Sequence, residues 1–209
     1  MTRSGCILAH VRAASVGLPV TETNTHPFVW RRHAFMHNGE VASFPAIKRS
    51  LLDQLGQDAY GMIEGTTDSE HLFALFIERW LRAGETQPQE SLARALEGAV
   101  ADMLTLLRDA GIEAASTFNL AVADGTCAVA CRFATGDDSE APSLHVHTGK
   151  HYHCDAGVPR LVTANAGEHA VIVSSEPLTD DSEWRAVPPN HVVVIGSDRR
   201  VEIRRFSPE

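Results

Sequence analysis

The chain has 209 residues, 44% of them hydrophobic and 22% charged, which suffices for one domain with a sizeable core and excludes disordered, coiled-coil and collagen-like chains. Its 18 Lys and Arg against 27 Asp and Glu leave a formal charge of -9, and no basic stripe with interleaved aromatics offsets that balance, so nucleic acid is a poor partner. No apolar run reaches the roughly 18–20 residues that cross a bilayer, so no membrane partner is expected either.

In chain order, Cys6–Arg12 is a short apolar run suited to a buried strand, and Ala13–His26 is a loop punctuated by Gly17, Pro19 and Asn24. Phe28–Trp30 and Ala34–His37 read as two strands, and Asn38-Gly39 marks a tight turn. Ile47, Leu51, Leu52 and Leu55 fall at helical spacing after Ser43, a fair cap. Asp68 opens a strongly amphipathic helix whose apolar face holds Leu72, Phe73, Leu75, Phe76, Trp80 and Leu81. A third helix spans about Glu90–Ala110 and stops at Gly111.

Beyond Ser116 the pattern turns to strands. Phe118–Ala123 and Cys127–Phe133 form a hairpin around Asp124-Gly125, followed by Leu144–His147, Ala170–Ser174, His191–Ile195 and Val201–Arg205. Strands, a helical block, then strands again predict an α+β layered fold in one domain, residues 1–209. The four cysteines, Cys6, Cys127, Cys131 and Cys154, are too few for a disulfide framework and suit reduced thiols in a cytoplasmic protein.

Four early stretches place polar groups at strand ends, turns and helix starts: His10-Val-Arg-Ala-Ala-Ser15, Asn24-Thr-His-Pro-Phe28, Phe35-Met-His-Asn-Gly39 and Gly65-Thr-Thr-Asp-Ser-Glu70. Together with Val173-Ser-Ser-Glu-Pro-Leu178, Trp184 and Val187-Pro188, they resemble the class II glutamine amidotransferase domain, over about Ile7–Ile195. Within that family the chain looks most like the branch acting on γ-glutamyl compounds, including the glutathione-degrading subunit of fungi. The resemblance implies an N-terminal-nucleophile fold, a four-layer αββα sandwich, and hydrolysis of a γ-glutamyl amide through a cysteine thioester. It implies no metal or organic cofactor, and in the fungal-like branch a partner peptidase.

Under that resemblance Arg12, Asn38, Gly39 and Asp68 line the γ-glutamyl pocket. A γ-glutamyl group carries an α-carboxylate that suits the planar fork of Arg12, and an α-ammonium that suits the carboxylate of Asp68. The oxyanion formed at the amide carbon suits the Asn38 side-chain amide and the Gly39 backbone N–H. Plainer roles stand beside these: Asp68 as a helix cap, Asn38-Gly39 as a hairpin turn, and Arg12 as a surface ion-pair residue. His26 and His37 read as supporting residues.

The family's nucleophile is a cysteine at the mature N-terminus, several tens of residues before the stretch that resembles His10–Ser15. Only nine residues precede His10 here, and Cys6, six residues before Arg12, reads as core. The chain is therefore expected to be incomplete at the N-terminal edge of its sheet, and inactive alone. A non-catalytic γ-glutamyl-binding or partner-binding module is the alternative. A different reading comes from His145, His147, His151 and His153: a hairpin turned at Thr148-Gly149-Lys150 would bring these imidazoles together, as in a zinc or copper site.

Overall fold

The computed structural model describes residues 5–11, 21–83, 87–137, 141–155, 158–163 and 169–208. In chain order the elements are β1 (Phe28–Trp30), β2 (His33–Glu40), α1 (Phe44–Leu52), α2 (Gln57–Tyr60), α3 (Asp68–Arg82) and α4 (Pro88–Asp109). Then follow β3 (Thr117–Ala123), β4 (Ala128–Ala134), β5 (His145–Thr148), β6 (Lys150–Asp155) and β7 (Val158–Thr163). The chain closes with β8 (Val171–Ser174), β9 (Arg185–Ala186), β10 (His191–Ile195) and β11 (Val201–Arg205).

Period-two alternation in the central strands decides the layering. Phe35 of β2, Phe118, Leu120 and Val122 of β3, Val129 and Cys131 of β4, and Val192 and Val194 of β10 share one buried face with the apolar sides of α1, α3 and α4. Their neighbours in sequence, Ala121, Ala130, Val193 and Ile195, pack on the opposite face against Val146, Val171 and Val173. The first set belongs to an antiparallel sheet of order β1-β2-β3-β4-β10-β11, and the second sheet has order β8-β5-β9. The described residues thus build helices, sheet and sheet. The fourth, helical layer of the expected sandwich is not represented among them.

The helices follow their apolar spacing. Leu72, Phe73, Phe76 and Ile77 of α3 and Leu92, Leu96, Ala99, Val100 and Met103 of α4 are all fully buried, and each large side chain contributes about 1.5–3 kcal/mol. Gly111, just past α4, takes φ +68, the left-handed conformation that ends a helix. Ser43 precedes α1 but makes no side-chain cap hydrogen bond; with φ +50 it turns the chain out of β2 instead.

Other expectations are corrected. Residues 5–11 form no strand, and Ile7 and Val11 are exposed; the His10 ring lies 4.4 Å from the His26 ring and tilted to it, and Arg12 lies outside the described residues. Asn38-Gly39 is not a turn. Both residues continue β2, Asn38 opposite Asn119 and Gly39 opposite Phe118. Thr148-Gly149-Lys150 does not close a hairpin either, because β5 pairs with β8 and β9 whereas β6 pairs with β7 in a separate ribbon.

Three histidines lie in the helix–sheet interior: His33 and His37 on β2, and His71 on α3. Burial pushes the pKa of each below its ordinary value. The folded state therefore holds these imidazoles neutral while the unfolded chain takes up protons below about pH 6.5. Stability is expected to fall as pH drops from 7 to 5, by up to about 1.4 kcal/mol per histidine per pH unit. Urea midpoints measured across that range check it, and His37→Asn should flatten the slope.

Candidate active site

The site begins where β2 leaves the sheet. Three successive backbone N–H groups there are taken up by side-chain oxygens. Glu40 donates to Thr117 Oγ1 (3.2 Å), Val41 to Asp68 Oδ2 (2.9 Å) and Ala42 to Ser116 Oγ (2.9 Å). Thr117 and Ser116 open β3, whereas Asp68 is the first residue of α3. Asn38, Gly39 and Glu40, immediately upstream, are exposed. The Val41 bond thus ties the start of α3 to the end of β2 and brings Asp68 beside Asn38-Gly39.

Thr67, not Asp68, caps the helix: its Oγ1 accepts the Glu70 N–H (3.2 Å). That leaves the Asp68 carboxylate for other work. Oδ1 accepts the Ser69 N–H (2.8 Å) and lies 3.2 Å from the Ser69 hydroxyl. Its position in the first turn of α3 also favours negative charge.

Behind Asp68 stands His37, fully inside the protein. Its Nε2 donates to the Thr117 carbonyl (3.0 Å), which leaves Nδ1 as acceptor for the Ser69 hydroxyl at 3.0 Å. Burial lowers the His37 pKa, opposed by the Asp68 charge, so the imidazole is neutral and the Ser69 proton points to it. Asp68 consequently keeps lone pairs for a cation on its open side. No proton-transfer role for His37 follows: it braces Ser69.

Gly39 is a glycine for a steric reason. A Cβ there would collide with the Thr117 carbonyl and stand 2.6 Å from His37 Nε2. The loop before α3 is held as tightly. The Glu70 carboxylate accepts the N–H groups of Glu64 and Gly65 (2.8 Å each), and Asn24 Oδ1 accepts that of Thr66 (3.0 Å). Burial raises the Glu70 pKa against the pull of those two N–H donors. The Thr67-Asp-Ser-Glu70 spacing is the sequence signature of a capping box, but Glu70 bends back beyond it to Glu64 and Gly65.

The structure therefore brings Asn38, Gly39 and Asp68 together, and Arg12 lies outside the described residues. Ser116 and Thr117 are supports that sequence reasoning did not single out, whereas Asn24, Ser69 and Glu70 lie within the early polar stretches but had no role assigned. The three described thiols do not join the site. Cys131 is buried and pushed up to about 12 by desolvation. Cys127 is raised by burial and then by Asp124, as is the half-buried Cys6. All three are held as protonated, weakly nucleophilic thiols.

The hairpin of the metal reading does not form: β5, with His145 and His147, and β6, with His153, lie in different sheets, and the His151 side chain is outside the described residues. His147 is buried, with Nε2 3.4 Å from Asp181 Oδ1 and 3.7 Å from Glu183 Oε2. His153 is exposed on the β6–β7 ribbon. The position a cation would take between the two carboxylates holds the Lys150 ammonium, 2.5 Å from Asp181 and 3.2 Å from Glu183. Hydrogen bonding from Lys150 lowers the Asp181 pKa to about 2. His147, Asp181 and Glu183 offer three metal-type donor atoms, but here they form an ion-pair cluster with a resident lysine.

The family model for glutamine amidotransferases of class II matches residues 2–205. The chain belongs to that family. It is 35% identical over 207 residues to the probable glutamine amidotransferase DUG3 of Saccharomyces cerevisiae, covering 93% of this chain and 58% of the yeast protein. It is 26% identical over 191 residues to the gamma-glutamyl-hercynylcysteine sulfoxide hydrolase of Mycolicibacterium smegmatis, covering 91% and 60%. The chain thus spans less than two thirds of the length of either relative. Among solved structures, a glutamine aminotransferase class-II domain protein from Silicibacter pomeroyi superposes with TM-score 0.66 at 29% identity, over 90% of this chain and 74% of that one. The glutamine PRPP amidotransferase of Bacillus subtilis, at 19% identity and TM-score 0.56 over 96% of this chain and 34% of that one, shares the fold. The architecture is the N-terminal-nucleophile type that the resemblance implied.

Gly39→Ala is expected to cost about 1–3 kcal/mol, because the added methyl must displace backbone at the Thr117 carbonyl. Gly5→Ala, where a Cβ meets nothing within 4 Å, should stay within roughly 0.5 kcal/mol. Urea denaturation of both variants checks the contrast.

Proposed function

We propose that this chain binds the γ-glutamyl end of an amide substrate and holds its carbonyl for attack by a cysteine thiol. The observation that carries the reading is the Asp68–Val41 hydrogen bond, which sets a half-buried carboxylate beside an exposed Asn-Gly pair. Asp68 takes the α-ammonium, and Arg12 takes the α-carboxylate through a bidentate fork. The Asn38 side-chain N–H and the Gly39 backbone N–H stabilise the oxyanion, where losing one donor costs about 10²–10³ in rate.

Attack by the thiolate on the amide carbon forms a tetrahedral oxyanion, whose collapse expels the protonated amine and leaves a thioester. Water then releases glutamate and the thiol. The nucleophile's own α-amino group serves as base, as the family resemblance implies. Neither Cys6, Cys127 nor Cys131 supplies that thiol, since burial holds each protonated. We place the attacking group along the flank of β2 beyond Phe35, where β1 has ended and no strand pairs with β2 among the described residues.

The relatives named DUG3 and gamma-glutamyl-hercynylcysteine sulfoxide hydrolase support a small γ-glutamyl substrate of the glutathione or glutamine type. A separate peptidase subunit would complete degradation if the amine product is a cysteinyl peptide. The free thiols suit the reducing cytoplasm, and no described helix is long and apolar enough to cross a membrane.

The test is calorimetric titration of the 209-residue chain with glutathione, glutamine and glutamate, alongside a glutamate-release assay. Binding that weakens at least tenfold in Asp68→Asn and in Arg12→Ala is expected, without turnover. Turnover that survives Cys6→Ala and disappears in Arg12→Ala would overturn the placement of the nucleophile outside these cysteines. Binding left intact by both pocket variants would overturn the pocket itself.

A further inference from the structure

On the face of the large sheet that turns away from the helices, cross-strand pairing lines up four polar side chains: Asn38 of β2, Asn119 of β3, Arg132 of β4 and His191 of β10. Directly opposed residues of an antiparallel pair share a face, with Cβ atoms about 4.5–5.5 Å apart. Asn38 and Asn119 are such a pair. The row lies just beyond the apolar contact between the two sheets.

Three members of the row are pinned by loop carbonyls. Arg132 donates from Nη1 to Val187 O (2.8 Å) and from Nη2 to Ala141 O (3.0 Å), and His191 Nδ1 lies 2.8 Å from Pro189 O. Asn119 Nδ2 donates to Pro142 O (2.9 Å) and Ser143 O (3.0 Å). Those two bonds use both amide protons and fix which way the group points. Its Oδ1 is left fully buried with no partner, in a residue only 7% exposed. An orphaned buried acceptor costs about 1–3 kcal/mol, so its retention calls for a use.

Of the two flanking side chains, Arg132 commits Nη1 and Nη2 to loop carbonyls, and its Nε, buried and itself without a partner, does not reach Oδ1. Asn38 is exposed, and its amide makes no hydrogen bond among the described residues. It is the neighbour able to move. An oxyanion-hole amide has two N–H groups and needs only one for the oxyanion. The other requires an acceptor that fixes the plane of the amide, and a carbonyl oxygen locked one strand away supplies it.

We propose that Asn119 is a positioning residue whose Oδ1 accepts a hydrogen bond from Asn38 Nδ2, so that the second Nδ2 proton faces the substrate carbonyl. This rests on the oxyanion role of Asn38 put forward above, but the Asn38–Asn119 bond is measurable without turnover. Asn119 touches no substrate; it acts through Asn38, and a loosely held donor costs about 100-fold in rate when misplaced by roughly 1 Å.

The first experiment records the side-chain amide protons of Asn38 by ¹⁵N NMR in the wild-type chain, assigned by their loss in Asn38→Asp. One proton shifted downfield and protected from solvent exchange at least tenfold relative to its partner is the expected result. Two protons at solvent-averaged positions with equal exchange would overturn the proposal, whatever happens to hydrolysis. Asn119→Leu should then abolish the asymmetry, whereas retention of it in a folded variant would assign the acceptor elsewhere and also overturn the proposal. In the hydrolytically competent protein, Asn119→Leu should lower kcat about 100-fold with KM within twofold, the split expected of a transition-state contact and not of a general loss of fold. If no γ-glutamyl compound is hydrolysed by any form of the protein, the catalytic reading fails, and the NMR result still decides the bond.

Discussion

A single carboxylate–amide bond, Asp68 Oδ2 to the Val41 N–H, joins two parts of the chain that the rest of the site depends on. Strand β2 arrives from the sheet interior with Asn38 and Gly39 at its open end, and α3 arrives from a clamped loop with Asp68 in its first turn. Core packing of Phe35 on Phe73 brings the two elements together, and the polar bond fixes their ends near solvent. A charge-assisted hydrogen bond is stronger than its neutral counterpart and directional. It therefore sets the distance between Asp68 and the end of β2, the dimension that the proposed γ-glutamyl pocket must match.

Around that bond the protein invests in rigidity. Thr117 and Ser116 take the N–H groups on either side of Val41. Glu70 and Asn24 tie down Glu64, Gly65 and Thr66 before the helix begins. His37 and Ser69 fill the space behind the carboxylate with a bonded pair that carries no net charge. The negative charge of Asp68 is therefore not cancelled from inside, and its unsatisfied side faces outward. Buried polar groups near an active site are often described as strain, but the groups around Asp68 are satisfied; in the neighbouring polar row Asn119 Oδ1 and Arg132 Nε are not.

Much of this was legible in the sequence, for reasons that can be named. The helices α1, α3 and α4 were announced by apolar residues at helical spacing, and the β3–β4 hairpin by alternation about Asp124-Gly125. Four short motifs located Asn38, Gly39 and Asp68. What sequence could not reveal were relations between distant residues. Asn-Gly is the commonest hairpin signal, yet here the glycine is dictated by the Thr117 carbonyl, which approaches from 78 positions away along the chain (117 minus 39). The histidine pattern suggested a shared site, but strand pairing sends β5 and β6 to different sheets. Cys6–Arg12 reads as a buried strand because apolar runs usually pair, but residues 5–11 form no strand and leave Ile7 and Val11 exposed.

The second sheet interrupts the first. Strands β4 and β10 are neighbours, but everything from residue 135 to 190, including β5 to β9, is threaded between them. The meander β2-β3-β4 and the α3–α4 pair rest on contacts closer along the chain, and such contacts form early because little chain must be ordered to make them. Pairing of β10 with β4 closes that whole excursion and is a contact of longer range along the chain. The side chains that receive it, Arg132 and Asn119, bind the carbonyls of residues 141, 142, 143 and 187 at the two ends of the loop. The polar row beside Asn38 thus doubles as the latch that holds both ends of the excursion against the large sheet.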